Sequence, residues 1–130
     1  MKLFRSGDAA FERADERNFV GSARVMKMPM VEDATQPVVV YLVEFEPGGR
    51  TNWHRHSGPQ LLLVKEGRGF VQKWGERPRA IAAGDAITIE PNEKHWHGAS
   101  AAEGLAHFAV NLNFTTEWLE PVADDQYRAS

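Results

Sequence analysis

The chain has 130 residues, of which 25% are charged, with a formal net charge of −3, five histidines and no cysteine. This length predicts one domain, and the 42% apolar content is typical of a globular protein rather than a disordered or fibrous one. The lack of cysteine excludes disulfides, thiolate zinc sites, iron–sulfur clusters and a cysteine nucleophile. The slightly acidic balance argues against nucleic acid as a partner, because nucleic acid favours a basic stripe.

The beginning of the sequence carries charges of both signs and no long apolar run, so we expect neither a signal peptide nor a membrane span. No internal repeat and no linker rich in proline, glycine or serine divides the chain. The sequence therefore predicts one domain over residues 1–130, a cytoplasmic location and no membrane partner.

Short runs of β-branched and aromatic residues alternate with turn residues through most of the chain. In chain order the predicted strands are Ala23–Met28, Val38–Phe45, Thr51–His56, Gln60–Lys65, Gly69–Trp74, Ala80–Ala82, Ala86–Glu90, Lys94–Gly98 and Leu105–Leu112. Several short strands at even spacing are typical of a β-sandwich or a β-barrel. The run Val38–Val43 is apolar at every position, which predicts a strand covered on both faces.

The two flanks of this region have a different pattern. Residues 8–18 favour either a helical turn or a solvated loop. Near the other end, Thr115 and Thr116 precede the segment Glu117–Glu120 and then Pro121, which is typical of an N-capped short helix ended by proline. We therefore expect short helical segments near the termini, packed outside the barrel.

The histidines are concentrated between residues 54 and 107. Side chains two residues apart share one face of a strand, so His54 and His56 point the same way. His95 and His97 form a second pair of the same kind, and a tight turn after the first pair can bring Gln60 beside it. A single pair of this kind is more often a core or surface feature than a ligand pair. Two such pairs in strands favour a metal site.

The last predicted strand adds a further imidazole, because His107 shares a face with Asn111. Three strands thus offer histidines to the interior of one barrel. Neutral imidazole nitrogens and an amide oxygen suit divalent zinc, iron, manganese, nickel or cobalt.

The order and spacing of these residues resemble the cupin family. The first cupin motif spaces a glycine, a His-x-His pair, a glutamate and a second glycine along the chain. The residues that match it are Gly48, His54, His56, Gln60 and Gly67, with Gln60 in place of the glutamate.

The second cupin motif is matched with more departures. Gly84 matches its first glycine and His95 its metal-ligating histidine. Asn92 stands at a later glycine position, which is a mild change because asparagine tolerates left-handed backbone. The motif proline is shifted by one place to Pro91, and Ala99 replaces the final asparagine. The resemblance implies an all-β fold, the cupin double-stranded β-helix or jelly-roll barrel, with its core at about residues 22–113.

A narrower resemblance rests on the run Glu93–Ala99, on His107 and on the tail segments Trp118–Glu120 and Asp124–Tyr127. These features resemble small single-domain cupins related to carboxymuconolactone-decarboxylase-associated proteins. That group includes manganese-dependent bacterial hydroxynitrile lyases, in which three histidines and one glutamine hold the metal.

The metal ligands implied by this resemblance are His54, His56, Gln60 and His95, with manganese as the expected ion and iron, zinc or nickel as alternatives. A glutamine in place of glutamate leaves the full 2+ charge of the ion, which favours Lewis-acid chemistry and anionic oxygen guests.

Two histidines remain outside this ligand set. Each can orient a ligand or act as a general base, since an imidazole near a cation stays neutral at pH 7. We expect His107 to be the base, with His97 as the second candidate. Tyr41, Val43 and Asn111 are the expected pocket residues, whereas Trp53, Trp74 and Trp96 are interpreted as packing residues.

The resemblance and the Lewis-acid site together favour a metal-dependent lyase that cleaves hydroxynitriles to a carbonyl compound and cyanide. A metal-dependent dioxygenase and a small-molecule-binding cupin without catalysis stay open as alternatives. The expected partner is a small molecule. The alternating residues Met26, Met28 and Met30 lie in a region through which small cupins commonly dimerise, so a homodimer or a higher homo-oligomer is also expected.

Overall fold

A computed structural model describes residues 1–30, 35 and 37–130 of the chain, and these residues form twelve β-strands and one short α-helix. In chain order the strands are β1 (Glu12–Arg13), β2 (Phe19–Val20), β3 (Ala23–Lys27), β4 (Val38–Phe45), β5 (Arg50–Thr51), β6 (His54–His56), β7 (Gln60–Lys73), β8 (Arg79–Ala82), β9 (Ala86–Ile89), β10 (His95–Ala99), β11 (Leu105–Leu112) and β12 (Thr116–Trp118). The helix is α1 (Asp124–Arg128).

The long strand β7 connects two antiparallel sheets, because its two halves pair with different neighbours. Its first half pairs with β9 and β11, and β11 continues through β4 and β3 to β1. Its second half pairs with β8 and β10, and β10 pairs in turn with β5 and β6. Strands β2 and β12 complete this second sheet. This arrangement confirms the all-β barrel class.

Gly67 lies where β7 passes from one sheet to the other. Its φ angle is 83°, and a Cβ atom there would lie 1.9 Å from the carbonyl oxygen of Gly104. Only glycine fits both conditions. The two predicted strands Gln60–Lys65 and Gly69–Trp74 are therefore one strand with a glycine bend, whereas the predicted strand Thr51–His56 is divided between β5 and β6.

The prediction that Val38–Val43 is covered on both faces is correct only in part. Leu42 and Val43 are buried, but the first four residues of this run are only partly buried. The reason lies in the position of β4 between β3 and β11, with one face toward the barrel interior and the other directed outward.

The expected helix at residues 117–120 is wrong. Thr116–Trp118 instead forms strand β12, which pairs along the whole of β6. Pairing with β6 satisfies the backbone hydrogen-bonding groups of Thr116–Trp118, whose residue types favour strands. These hydrogen bonds outweigh the local capping pattern. The helix α1 begins after Pro121, at Asp124. Residues 8–18 form turns and the short strand β1, consistent with the loop alternative.

A buried arginine holds the C-terminal segment against the barrel. The guanidinium of Arg50 donates to the carbonyl oxygen of Val122 at 2.8 Å and to Oδ1 of Asp124 at 3.0 Å, and it lies 4.4 Å from the centre of the Tyr127 ring. Val122 packs with two of the predicted packing residues, Trp53 and Trp96.

The third predicted packing residue, Trp74, is half exposed, and its ring meets that of Trp53 in a T-shaped contact with centroids 4.8 Å apart. Across the described residues, no helix is both long and apolar enough to span a membrane.

Candidate metal centre

Strand pairing brings the predicted metal-binding residues together inside the barrel. His95 on β10 lies directly opposite His54 on β6, and Gln60 on β7 lies opposite Asn111 on β11. All five histidines are buried, with exposed fractions of at most 6%. Each antiparallel pair directs its side chains to one face, so these groups converge on one region of the interior.

The imidazole rings of the first four histidines are closely spaced. The ring centre of His54 lies 4.3 Å from that of His95, 5.0 Å from that of His56 and 5.4 Å from that of His97. One ring nitrogen each of His54, His95 and His97 lies within 4.8 Å of the others, close enough for three histidines to hold a metal ion. This cluster includes His97, which the sequence did not predict to be a ligand.

Hydrogen bonds outside the cluster determine which ring nitrogen is available in His54 and His95. Nδ1 of His54 lies 2.8 Å from the carbonyl oxygen of Asn52, and Nδ1 of His95 lies 2.8 Å from that of Glu93. A carbonyl oxygen only accepts hydrogen bonds, so each Nδ1 carries the proton. In the neutral ring, Nε2 then presents its lone pair, as a metal-ligating imidazole requires.

His56 has a similar support, because its Nδ1 lies 2.9 Å from the hydroxyl oxygen of Thr116 on β12. Among the described residues, several buried donor and acceptor atoms in this region have no hydrogen-bond partner. Those with a lone pair to offer include Nε2 of His56, Oε1 of Gln60, Nε2 of His95 and Nε2 of His97. Buried polar atoms are rarely left unpaired, and a divalent cation is a partner that would satisfy several atoms of this set at once.

Burial keeps these imidazoles uncharged. It lowers the pKa of His54 and of His97 well below the usual value of 6.5, and neighbouring histidines lower both further. The pKa of His56 falls to about 4 for the same two reasons, and burial also lowers the pKa of His95. Neutral rings at pH 7 can donate lone pairs to a metal, so the electrostatics of the site agree with its hydrogen bonding.

His97 and His107 form a hydrogen-bonded pair at one side of the cluster. Nε2 of His107 lies 2.9 Å from Nδ1 of His97, and burial lowers the pKa of His107 to about 4. His97 lies on the wall of the adjacent cavity, whereas the ring of His107 is wholly buried and packs against Phe45. Of the two predicted base candidates, His97 is therefore the one placed at the cavity.

The cavity beside the cluster has a volume of about 230 Å³. Its wall contains the predicted pocket residues Tyr41, Val43 and Asn111 and four of the predicted metal or base residues: His54, His56, Gln60 and His97. Several other wall residues were not expected from the sequence: Phe19, Val25, Thr51, Phe114, Thr116 and Trp118.

One signal in the sequence could have identified part of this additional wall. Phe114, Thr116 and Trp118 alternate with a period of two, which indicates a strand with one shared face, but the threonine–glutamate pattern favoured a helix cap. Phe19 lies far from the histidines in the sequence. It reaches the cavity only because β2 pairs with β5.

Three buried histidines inside this jelly-roll barrel lie close enough together to hold a metal ion, and comparison with known families identifies the class of protein. Residues 41–110 match the model of the cupin domain family, Cupin_2. The chain belongs to the cupin family. It is also 35% identical over 131 aligned positions to a protein of Granulicella tundricola named (R)-mandelonitrile lyase, covering 98% of this chain and 99% of that protein.

Two further comparisons extend this result. A crystal structure of a cupin-like protein from Thermotoga maritima superposes with a TM-score of 0.87 at 36% identity, covering 98% of this chain and 96% of that one. A dimethylsulfoniopropionate lyase from Ruegeria pomeroyi is 38% identical over 64 residues, which is 49% of this chain and 41% of that protein. Relatives named as lyases support an enzyme, without specifying the reaction.

Proposed function

We propose that this cupin is a metal-dependent lyase that cleaves cyanohydrins to a carbonyl compound and cyanide. One observation carries the proposal. Several buried atoms with lone pairs lie beside a largely apolar cavity, and within the described residues these atoms have no hydrogen-bond partner. The nearly full-length similarity to a protein named (R)-mandelonitrile lyase supports this choice of reaction.

The proposed metal ligands are His54, His56, Gln60 and His95, with manganese as the expected ion and iron, zinc or nickel as alternatives. His97 also belongs to the geometric cluster, but its hydrogen bonding differs. Nδ1 of His54 and of His95 meets a backbone carbonyl, whereas Nδ1 of His97 meets another imidazole whose proton can lie on either ring. We therefore assign His97 to proton transfer rather than to the metal.

A divalent ion held by three imidazoles and an amide would supply Lewis acidity toward an anionic oxygen. The remaining chemistry belongs to the chain. The cyanohydrin hydroxyl gives its proton to Nε2 of His97 while Nδ1–H of His97 donates to His107. The electron pair of the O–H bond forms the carbonyl double bond. Cyanide leaves with the electron pair of the broken carbon–carbon bond, and return of the proton gives hydrogen cyanide.

Aromatic side chains bound the cavity around this reacting centre. Trp118 lies against His54 with ring centres 4.7 Å apart and against Phe19 at 5.8 Å, while Phe114 lies 5.6 Å from His56. Such a wall favours a substrate with an apolar substituent.

Metal analysis and cyanide release together test this assignment. We expect His54→Gln to lose bound metal, and His97→Gln to keep the metal but lose most of the metal-dependent release of cyanide from mandelonitrile. Arg55→Gln is a matched control, because Arg55 lies between two proposed ligands on the exposed face of β6. Loss of metal in His97→Gln would show that His97 is a ligand and would contradict the assignment.

The dioxygenase alternative is separated from the lyase by the co-substrate. A lyase needs no oxygen, so cyanide release should be equal under air and under nitrogen. Oxygen consumption with a diketone, together with no metal-dependent cyanide release at any pH, would replace the proposal by a dioxygenase. Metal binding without turnover of either substrate would leave a binding role.

We also propose that the chain forms a homodimer through the outward face of its first sheet. In strands β4, β7 and β11, residues alternate between the cavity side and the outward side. The outward residues form one apolar surface, the outer apolar face: Val38, Val40, Leu61, Leu63, Phe108, Val110 and Leu112. Leu63 and Leu112 are 39% and 40% exposed.

A sheet face open to water is ordinarily polar, so a continuous apolar face indicates a contact surface. A second copy fits, because a two-fold axis brings the same apolar residues of both subunits together. Sedimentation velocity tests the proposal: Leu63→Lys should shift the protein to a monomer, whereas Arg79→Glu, at an exposed position on β8 of the second sheet, should not. A wild-type monomer at micromolar concentration would refute it.

A further inference from the structure

Two buried amide side chains face each other beside the proposed metal centre. Gln60 on β7 and Asn111 on β11 occupy directly opposite positions, and they are 5% and 2% exposed. Nε2 of Gln60 donates to Oδ1 of Asn111 at 2.7 Å. Both residues line the cavity, so this bond connects a proposed metal ligand to a residue on another strand.

The orientation of the Asn111 amide is set by the backbone around it. Nδ2 of Asn111 donates to the carbonyl oxygens of Val39 and Ala109, at 3.3 Å and 3.4 Å. Carbonyl oxygens accept only, so the nitrogen of this amide must face them and its oxygen must face Gln60. Gln60 must then present its N–H group to Asn111, which directs Oε1 away from it. Within the described residues, this buried Oε1 has no hydrogen-bond partner.

We infer that Asn111 is a positioning residue that directs Oε1 of Gln60 toward the metal. It also makes position 60 suited to a neutral ligand rather than to a carboxylate. The inference rests on the proposed metal centre. A glutamate at position 60 would bring a carboxylate oxygen within hydrogen-bond distance of Oδ1 of Asn111 with no proton between them, which is repulsive. Asn111 thus preserves the ligand set that leaves the full charge of a divalent ion available to an anionic oxygen.

The dissociation constant of cobalt(II) or manganese(II), measured by competition with a chelator, tests this inference without any activity assay. In Asn111→Leu, the Gln60 amide loses the acceptor that orients it, and we expect affinity to fall about tenfold, as for other supporting hydrogen bonds at metal sites. In the Gln60→Glu background, the same leucine substitution should raise the metal affinity instead of lowering it. There the leucine removes a repulsive oxygen, so Gln60→Glu/Asn111→Leu should bind metal more tightly than Gln60→Glu alone.

The reversal separates positioning from a general structural effect, because a disturbed barrel would weaken metal binding in both backgrounds. Gln60→Ala reports separately on the metal centre. If that variant binds metal as tightly as the wild type, the proposed ligand set fails. If it binds weakly while Asn111→Leu binds like the wild type, or if the sign does not reverse, the role of Asn111 is overturned. Asn111→Val, with a smaller side chain suited to a strand, serves in the same cycle should the leucine variant not fold.

Discussion

Acid unfolding of the metal-free protein tests the environment of the His97–His107 pair. Burial lowers the pKa of His107 from 6.5 to about 4. Between these two pH values the unfolded chain binds a proton at His107 and the folded chain does not. The free energy of unfolding therefore falls as the pH is lowered through this interval, and His107 contributes no pH dependence above it.

The size of this effect follows from the difference between the two pKa values. At about pH 5, one such histidine lowers the free energy of unfolding by about 2 kcal/mol relative to neutral pH. This is a large part of the roughly 5–15 kcal/mol that stabilises a typical domain. Replacing His107 by glutamine removes the titrating group while keeping a hydrogen-bonding side chain beside His97. We expect the loss between neutral pH and about pH 5 to be about 2 kcal/mol smaller in His107→Gln than in the wild type.

Urea unfolding of chelator-treated protein at the two pH values measures both free energies, followed by tryptophan fluorescence, which reports on exposure of the buried Trp53 and Trp96. Arg55→Gln controls for a general effect of substitution, because its exposed side chain should leave the pH dependence unchanged. Equal losses in the wild type and in His107→Gln would show that His107 is not held neutral in the folded protein. The account of the histidine pair as a buried neutral dyad would then be wrong.

Three further predictions concern the barrel and its cavity. Trp118→Ala removes the ring that contacts both His54 and Phe19 and so widens the cavity. The kcat/KM for a bulky cyanohydrin, divided by that for a small one, should therefore rise. An unchanged ratio would place the substrate elsewhere. Gly67→Ala should lose about 2–4 kcal/mol in urea unfolding, because its Cβ would meet the Gly104 carbonyl oxygen and its φ angle is positive. Arg50→Met leaves the Val122 carbonyl oxygen without its donor, and it should cost about 2 kcal/mol and speed proteolysis after residue 120. Glu117→Gln, which removes an exposed ion pair with Arg55, should cost less than about 0.5 kcal/mol by comparison.

Much of the fold was predictable because single residues, above all glycine, indicate where the backbone must adopt a particular conformation. The positive φ angles of Gly48, Gly67, Gly84 and Asn92 are 81°, 83°, 94° and 65°, and all four occupy glycine positions of the two motifs. Asn92 shows why the departure from the motif was tolerable, since asparagine is among the few residues with a side chain that enter the left-handed region.

The segment after β11 could not be predicted in the same way. Thr115–Glu120 has the local features of a capped helix, and these compete with the period-two alternation of Phe114, Thr116 and Trp118, so the local sequence does not decide between helix and strand. The pairing of β12 with His54–His56, more than fifty residues earlier, decides the outcome. A pattern limited to neighbouring residues contains no information about such a partner, which is why Trp118 and Thr116 were missed as wall residues.

The sequence by itself determined that the histidines lie on strands, that two pairs of them share a face and that Gln60 stands where the cupin motif has glutamate. Only the tertiary structure decided what surrounds each ring. Backbone carbonyls from Asn52 and Glu93 orient His54 and His95, while His97 meets His107, and our proposal assigns metal binding and proton transfer on the basis of this difference. The physical reason is that ring tautomers and amide orientations depend on hydrogen bonds between residues far apart in the chain, which strand pairing alone brings into contact.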